Sequence, residues 1–365
     1  MNNLLPPDTS LDIGALAGIF NSTTNSYKLL FFISLLEEIE YLSSSNNPDP
    51  YINLKSLCIN LLRFGWYPYK FFNLSFGSQD KIGRTLGMLK FGLEESAVTN
   101  ASTKIRLRAK IEEQFYDIEA GFLTRYVPYR ILTSFFRTEL KGVPDARKNQ
   151  LVAQLSEQSF ETDSPVLYRI VRNRSAIELN PKWYTYIRTN LTIVRGWALY
   201  QWANYLQSKN PNTPALIRKI EPPIKRKSLS EQAKFWNVVV EQWPIHCIYS
   251  KVRLTPSSFA LDHFLPWSFV CHDELWNLIP VCPRANSSKG RSLPDDRFLD
   301  PFIEQQVFAL SVHQKKSPRL WKRTIQPYVD GLSLTEAEAE NSDAIRYALS
   351  NKIKSLKSLA QMLGY

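Results

Sequence analysis

The amino-acid sequence predicts a mainly α protein: a helical amino-terminal region, then a small ββα unit, then closing helices at the carboxy terminus. Three observations carry that prediction. Apolar residues recur at three- and four-residue intervals through much of the first two hundred positions; prolines and basic residues punctuate the chain around residue 222; and two short apolar runs precede a proline-opened segment near residue 283. With 365 residues, 44% of them hydrophobic and 13% aromatic, the chain can fill two or three packed cores.

The elements follow in order. Ser26 to Leu42 and Ile52 to Phe64 have dense apolar spacing that fits helices, and Lys104 to Ile118 fits a helix with charges on its outer face. Ser75 to Lys81 has neither the glycine spacing nor the Lys-Ser or Lys-Thr pair of a phosphate-cradling loop, so it reads as a helix start at Ser78. Lys182 to Ser208 reads as one long amphipathic helix, with Trp183, Ile187, Leu191, Val194, Ala198, Trp202 and Leu206 on its stripe. Pro211, Pro214, Pro222 and Pro223 then interrupt the chain, and Glu221 to Lys227 reads as a basic linker. Ser230 to Glu241 is expected to be a helix capped by Ser228 or Ser230, and Asp296 to Leu310 and Ser342 to Leu363 are expected to close the chain as helices. The expected organisation is a helical recognition, regulatory or partner-binding region over 1–220, a linker over 221–228, a domain that holds the ββα unit over 229–310 and a helical extension over 311–365. No internal repeat is visible.

Several classes are excluded by composition. The longest apolar run, Leu29 to Leu36, is too short to span a bilayer and is flanked by Lys28 and by Glu37 and Glu38. Pro6, Pro7 and Asp8 interrupt any secretory h-region. The four cysteines form no disulfide framework, so a reducing, cytoplasmic setting is expected. The net charge of +11 is unevenly spread: residues 51–250 hold 29 Lys and Arg against 16 Asp and Glu, whereas residues 251–300 balance at six and six. Lys104 to Lys110, the run Arg218, Lys219, Lys225, Arg226 and Lys227, and the run from Lys315 to Arg323 are basic clusters suited to a phosphate backbone. Lys225, Arg226, Lys227, Lys315, Lys316 and Arg319 are the candidate nucleic-acid contacts.

Chemistry concentrates between Val252 and Lys289. Val252 to His263 and Leu275 to Val281 read as short strands, and the segment from Pro283 as a short helix. This placement ends the first strand with Asp262 and His263, sets Asn277 on the second and turns Asn286 of the helix toward both. Phosphodiester hydrolysis needs a water stripped of a proton, neutralised charge at phosphorus and support for the leaving oxygen. His263 carries an imidazole, the side chain suited to proton transfer near neutral pH, and can take the proton. Asp262 and the Asn286 side chain are hard oxygen ligands for Mg²⁺ or Mn²⁺. Lys289, one turn beyond Asn286, can reach a phosphate oxygen. His272 reads as a solvent-exposed histidine in the loop before the second strand, and His246 and His313 have no companion at ligand spacing.

Taken together, Asp262-His263, Asn277, Asn286 and Lys289 resemble the HNH (ββα-metal) endonucleases, in the His-Asn-Asn variant found in the HNH domain of CRISPR effector nucleases and in bacterial restriction and defence nucleases. The resemblance spans about residues 243 to 300. It implies a metal-dependent endonuclease with DNA as substrate, RNA not being excluded, in a restriction or anti-phage defence system that can include a partner subunit. It also implies that a backbone carbonyl or Asn277 holds the His263 ring. Many members carry paired Cys-x-x-Cys knuckles that bind structural zinc; the matching positions here are Cys247 to Ser250 and Cys282 to Ala285, so no structural zinc is expected. Packing of Trp267, Phe269, Trp276 and Leu278 is expected to take its place. The competing reading is a nucleic-acid-binding or complex-forming subunit with an inactive ββα module.

Overall fold

A computed structural model describes residues 5–44, 50–92, 101–171, 173, 175–221 and 228–365. Lys225, Arg226 and Lys227 lie outside the described residues. The protein is mainly α: among the described residues fifteen α-helices accompany five short strands. It divides into two compact units. One contains the described residues up to Pro211 together with 216–221, and the other contains 212–215 and 228–365.

The first unit is organised around the helix Tyr27–Ser43, which packs on the helices Leu54–Trp66, Leu191–Lys209 and Phe122–Ile131. Leu29 to Leu36 is buried on nearly every side, which explains a continuous apolar run with no amphipathic face. Among the described residues, no helix is long and apolar enough to cross a membrane. The expected long helix from Lys182 is two helices, Pro181–Thr189 and Leu191–Lys209. Asn190 breaks it: its backbone leaves helical geometry and its side-chain amide donates to the Tyr186 carbonyl at 3.0 Å, a local bond that competes with the helical ladder. The helix expected from Ser78 begins instead at Lys81, where Asp80 caps it by accepting from Ile82 N–H.

Absent from the sequence reading is a three-stranded antiparallel sheet of β1 (Tyr51–Asn53), β2 (Tyr168–Val171) and β3 (Ala176–Leu179), in the order β1-β3-β2. A cross-strand ion pair, Arg169 Nε to Glu178 Oε2 at 2.8 Å, joins β2 to β3. The basic clusters are not uniformly exposed. Lys219 is fully buried, and Arg108 turns inward to Asn60 and Ser56. Lys315, Lys316 and Arg319 are exposed in the second unit.

The second unit has one apolar core shared by the helices Ser230–Gln242, Leu299–Lys316, Trp321–Leu332 and Ser342–Met362 with a two-stranded hairpin. That hairpin pairs β4 (Ala260–His263) with β5 (Leu278–Val281) antiparallel, His263 opposite Leu278 and Asp262 opposite Ile279. Both strands are shorter than the sequence predicts. Residues 252–259 form an isolated bridge and a turn, and Leu275–Asn277 is a 3₁₀ turn, so Asn277 precedes β5 instead of lying on it. Phe269, Trp276 and Leu278 are buried as expected, whereas Trp267 is half-buried.

Three contacts fix the hairpin against the helices. Phe264 stacks on Phe302 with ring centroids 4.1 Å apart. The buried Gln306 amide donates to the Leu278 carbonyl at 2.8 Å while its oxygen accepts from Tyr328. Gly331 permits the helix Trp321–Leu332 to lie directly on Trp276, since a Cβ there would stand 2.1 Å from the indole nitrogen.

Candidate active site

The site is assembled where β4 ends beside the helix Pro283–Lys289. Pro283 opens that helix and Gly290 ends it with φ at +51°, a conformation few side chains tolerate. Seven residues are enough to set Asn286 and Lys289 on consecutive turns.

Asp262 is buried, 3% exposed. Its Oδ2 accepts from the Tyr249 hydroxyl at 2.8 Å and its Oδ1 from the Lys289 ammonium at 3.1 Å. Burial pushes the Asp262 carboxyl above the usual carboxylate range, and Lys289 and Tyr249 oppose that shift. Tyr249 is pushed up in turn, chiefly by burial and then by the neighbouring carboxylate. Lys289 also donates to the His263 carbonyl at 2.7 Å. Its ammonium is thus directed into the site, bound to the chain's own oxygens.

His263 is half-buried and its Nε2 stands 2.8 Å from Asp273 Oδ1. Sequence reasoning missed Asp273, which lies in the loop between the strands; a lone Asp ten residues after a His carries no periodic signal. Donation from Nε2–H to that carboxylate leaves Nδ1 as the acceptor nitrogen. Asn277 does not hold the ring. It is fully buried, its Oδ1 accepts from Leu265 N–H and its Nδ2 donates to the Leu265 carbonyl, both at 2.9 Å, while its own carbonyl accepts from Phe264 N–H. Asn277 therefore fixes the backbone just after His263. Asn286 is half-buried on the helix, and its side chain makes no hydrogen bond among the described residues. His272 is half-buried against Trp276, ring centroids 4.9 Å apart, and His313 stacks on Phe235.

The knuckle positions also meet. Ser250 Oγ lies 3.3 Å from Cys282 Sγ, Cys247 is buried, and hydrogen bonds from Ser250 and the Ala285 N–H hold the Cys282 thiol below its ordinary range. Two thiols and a hydroxyl replace the four thiolates of a tetrahedral site. Among the described residues, no group of three or more His, Cys, Asp or Glu is placed to hold a metal ion.

Residues 247–295 match the family model for HNH endonuclease. Comparison with curated proteins and with solved structures gives no match. The matched segment begins at the first knuckle position, contains both strands and the site helix, and ends just after the loop that follows them. On that match, residues 247–295 of this chain are an HNH endonuclease domain.

Proposed function

We propose that the protein is a metal-dependent HNH endonuclease of the His-Asn-Asn type that hydrolyses phosphodiester bonds in DNA, working in the cytoplasm within a bacterial restriction or anti-phage defence system. The observation that carries the reading is the buried Asp262 carboxylate next to a histidine whose far nitrogen is held by Asp273. A buried charge weighs against folding unless it is paired, and buried carboxylates whose protonation is shifted by burial, as for Asp262, concentrate where chemistry is done.

His263 is assigned the general base. With Nε2–H on Asp273, its Nδ1 accepts the proton of the attacking water, and the Asp273 carboxylate stabilises the imidazolium that results. Asn277 keeps the backbone after His263 in one arrangement, so the ring presents Nδ1 in a fixed direction. The oxygen donors fit a hard, largely hydrated cation better than a closed protein cage: Asp262 keeps lone pairs beyond those used by Tyr249 and Lys289, and the Asn286 oxygen is not engaged by another described residue. Asp262 and Asn286 would hold Mg²⁺ or Mn²⁺ there, and the ion when bound would supply charge neutralisation at the scissile phosphate. Lys289 balances the Asp262 charge and is assigned the contact to a phosphate oxygen of the substrate. Exposed Lys315, Lys316 and Arg319, together with Lys225, Arg226 and Lys227, are assigned to backbone binding.

The test is nicking of supercoiled plasmid DNA by the full chain across a Mg²⁺ and Mn²⁺ titration, with an EDTA control. The expected outcome is cleavage that requires the added ion. Absence of cleavage under every ionic condition, with DNA binding intact, would favour a module that binds without cutting.

A further inference from the structure

The first unit contains a cavity of about 670 Å³ with a strongly cationic lining, within the size range of small-ligand sites. Lys28, Arg130, Arg137 and Lys148 line it against a single carboxylate, Asp145. Asp145 is already shared: Arg130 takes both its oxygens, at 2.7 and 2.9 Å, and Lys148 stands 3.6 Å away. Lys28 and Arg137 pair with no carboxylate among the described residues. Burial, and then the charge of Arg130, hold the Lys28 ammonium below its ordinary range. The Lys28 ammonium has the Ile19 carbonyl as an acceptor at 3.4 Å, and a cation kept half-buried beside another cation without a carboxylate is an unfavourable arrangement that an anion entering the cavity would relieve.

Two further features favour a phosphate group over other anions. The loop that leads into the helix Tyr27–Ser43 lines the cavity with Ser22, Thr23 and Thr24, residues whose hydroxyls are neutral donors able to complete the coordination of a multi-oxygen anion. Gly18 leaves room for the Arg137 guanidinium to lie against the chain, where a Cβ would stand 1.7 Å from Nη2, so the fork of donors is seated at the cavity. Tyr126, 53% exposed, also lines the cavity and presents a ring on which a base can stack.

We infer that this cavity binds a phosphomonoester attached to a nucleoside, which is the chemistry of a free nucleotide and equally of a 5′-phosphorylated nucleic-acid end. The site lies outside the HNH endonuclease domain and does not depend on the reading of that domain. The test uses the full chain in EDTA, with calorimetric titration of AMP, adenosine, a 5′-phosphorylated ten-nucleotide DNA strand and the same strand with a 5′-hydroxyl. A phosphate-bearing probe is expected to bind at least 10-fold tighter than its unphosphorylated counterpart. AMP binding would identify the free nucleotide as the source; binding by the phosphorylated strand alone would identify a nucleic-acid end. Arg137→Gln and Lys28→Met should each weaken that binding about 10- to 100-fold, the usual range for losing one charge-assisted contact. Arg137 is exposed, so R137Q reports on binding even if the Lys28 variant fails to fold. Equal affinity for phosphorylated and unphosphorylated probes, or undiminished affinity in R137Q, would overturn the inference.

Discussion

The two polar clusters of the HNH domain lie at opposite ends of one seven-residue helix and are held by different forces. At its start, Cys247, Ser250 and Cys282 are weakly polar, Ser250 and Cys282 meeting at 3.3 Å, and the surrounding chain is held by packing such as Tyr249 on Phe298. At its end, Asp262, His263, Asp273 and Lys289 are ionisable, bonded to one another or to the backbone, and largely withdrawn from water. Apolar packing can stand in for a structural crosslink, because both only restrict the chain. It cannot stand in for a proton acceptor or a cation ligand. A buried ion pair is commonly no more stabilising than apolar residues of the same shape, so stability alone does not account for this pair in a well-packed unit.

The largest way to break this contrast is to remove the carboxylate. Asp262→Ala should lower the single-turnover cleavage rate by about 10²- to 10³-fold, as loss of a preorganised electrostatic group usually does. A rate within threefold of wild type at saturating metal would show that the charged end is structural after all. Next, Lys289→Met leaves Asp262 buried without its ammonium and should cost about 3 to 5 kcal/mol of stability in denaturant unfolding. Adding Asp262→Asn to it should restore much of that loss, and additive losses in the double variant would deny the pair.

Smaller but still measurable, Asn277→Ala removes the partners of two buried backbone groups of Leu265 and should cost about 2 to 4 kcal/mol. The prediction for pH is subtler. The Asp262 carboxyl is raised in the folded protein, so its contribution to stability is present below its unfolded pKa and is lost as pH rises through the folded value. Unfolding curves from about pH 4 upward should therefore show Asp262→Asn gaining on wild type as pH increases. A difference independent of pH would mean that Lys289 and Tyr249 fully offset the cost of burial.

These outcomes also mark what was legible in the sequence. The position of Asp262 and His263 at the end of a short strand, and of Asn286 and Lys289 on a proline-opened helix, could be read because strand alternation and helical spacing are local rules. The role of Asn277 could not: only tertiary structure shows it clasping Leu265 instead of the imidazole. Asp273 sits in an irregular loop, where no periodicity relates it to His263. The break at Asn190 escaped notice because the apolar stripe runs on through it while the backbone does not. The sheet of β1, β2 and β3 was missed because strands of three and four residues leave too little alternation to read, and because β1 pairs with a strand more than a hundred residues away. The mainly helical character was legible throughout, since buried helices such as Tyr27–Ser43 announce themselves by apolar density.

The account rests on the difference between the two ends of the site helix, and one paired measurement addresses it. Single-turnover cleavage of DNA at saturating Mg²⁺ or Mn²⁺ should be measured for wild type, His263→Ala and Cys282→Ala, with DNA affinity measured alongside. The account predicts a fall of about 10²- to 10⁴-fold for His263→Ala, the usual cost of losing a general base, with affinity unchanged. It predicts a rate within threefold of wild type for Cys282→Ala. A His263→Ala variant that keeps more than half the wild-type rate, or a Cys282→Ala variant that falls as far as it does, would contradict the account.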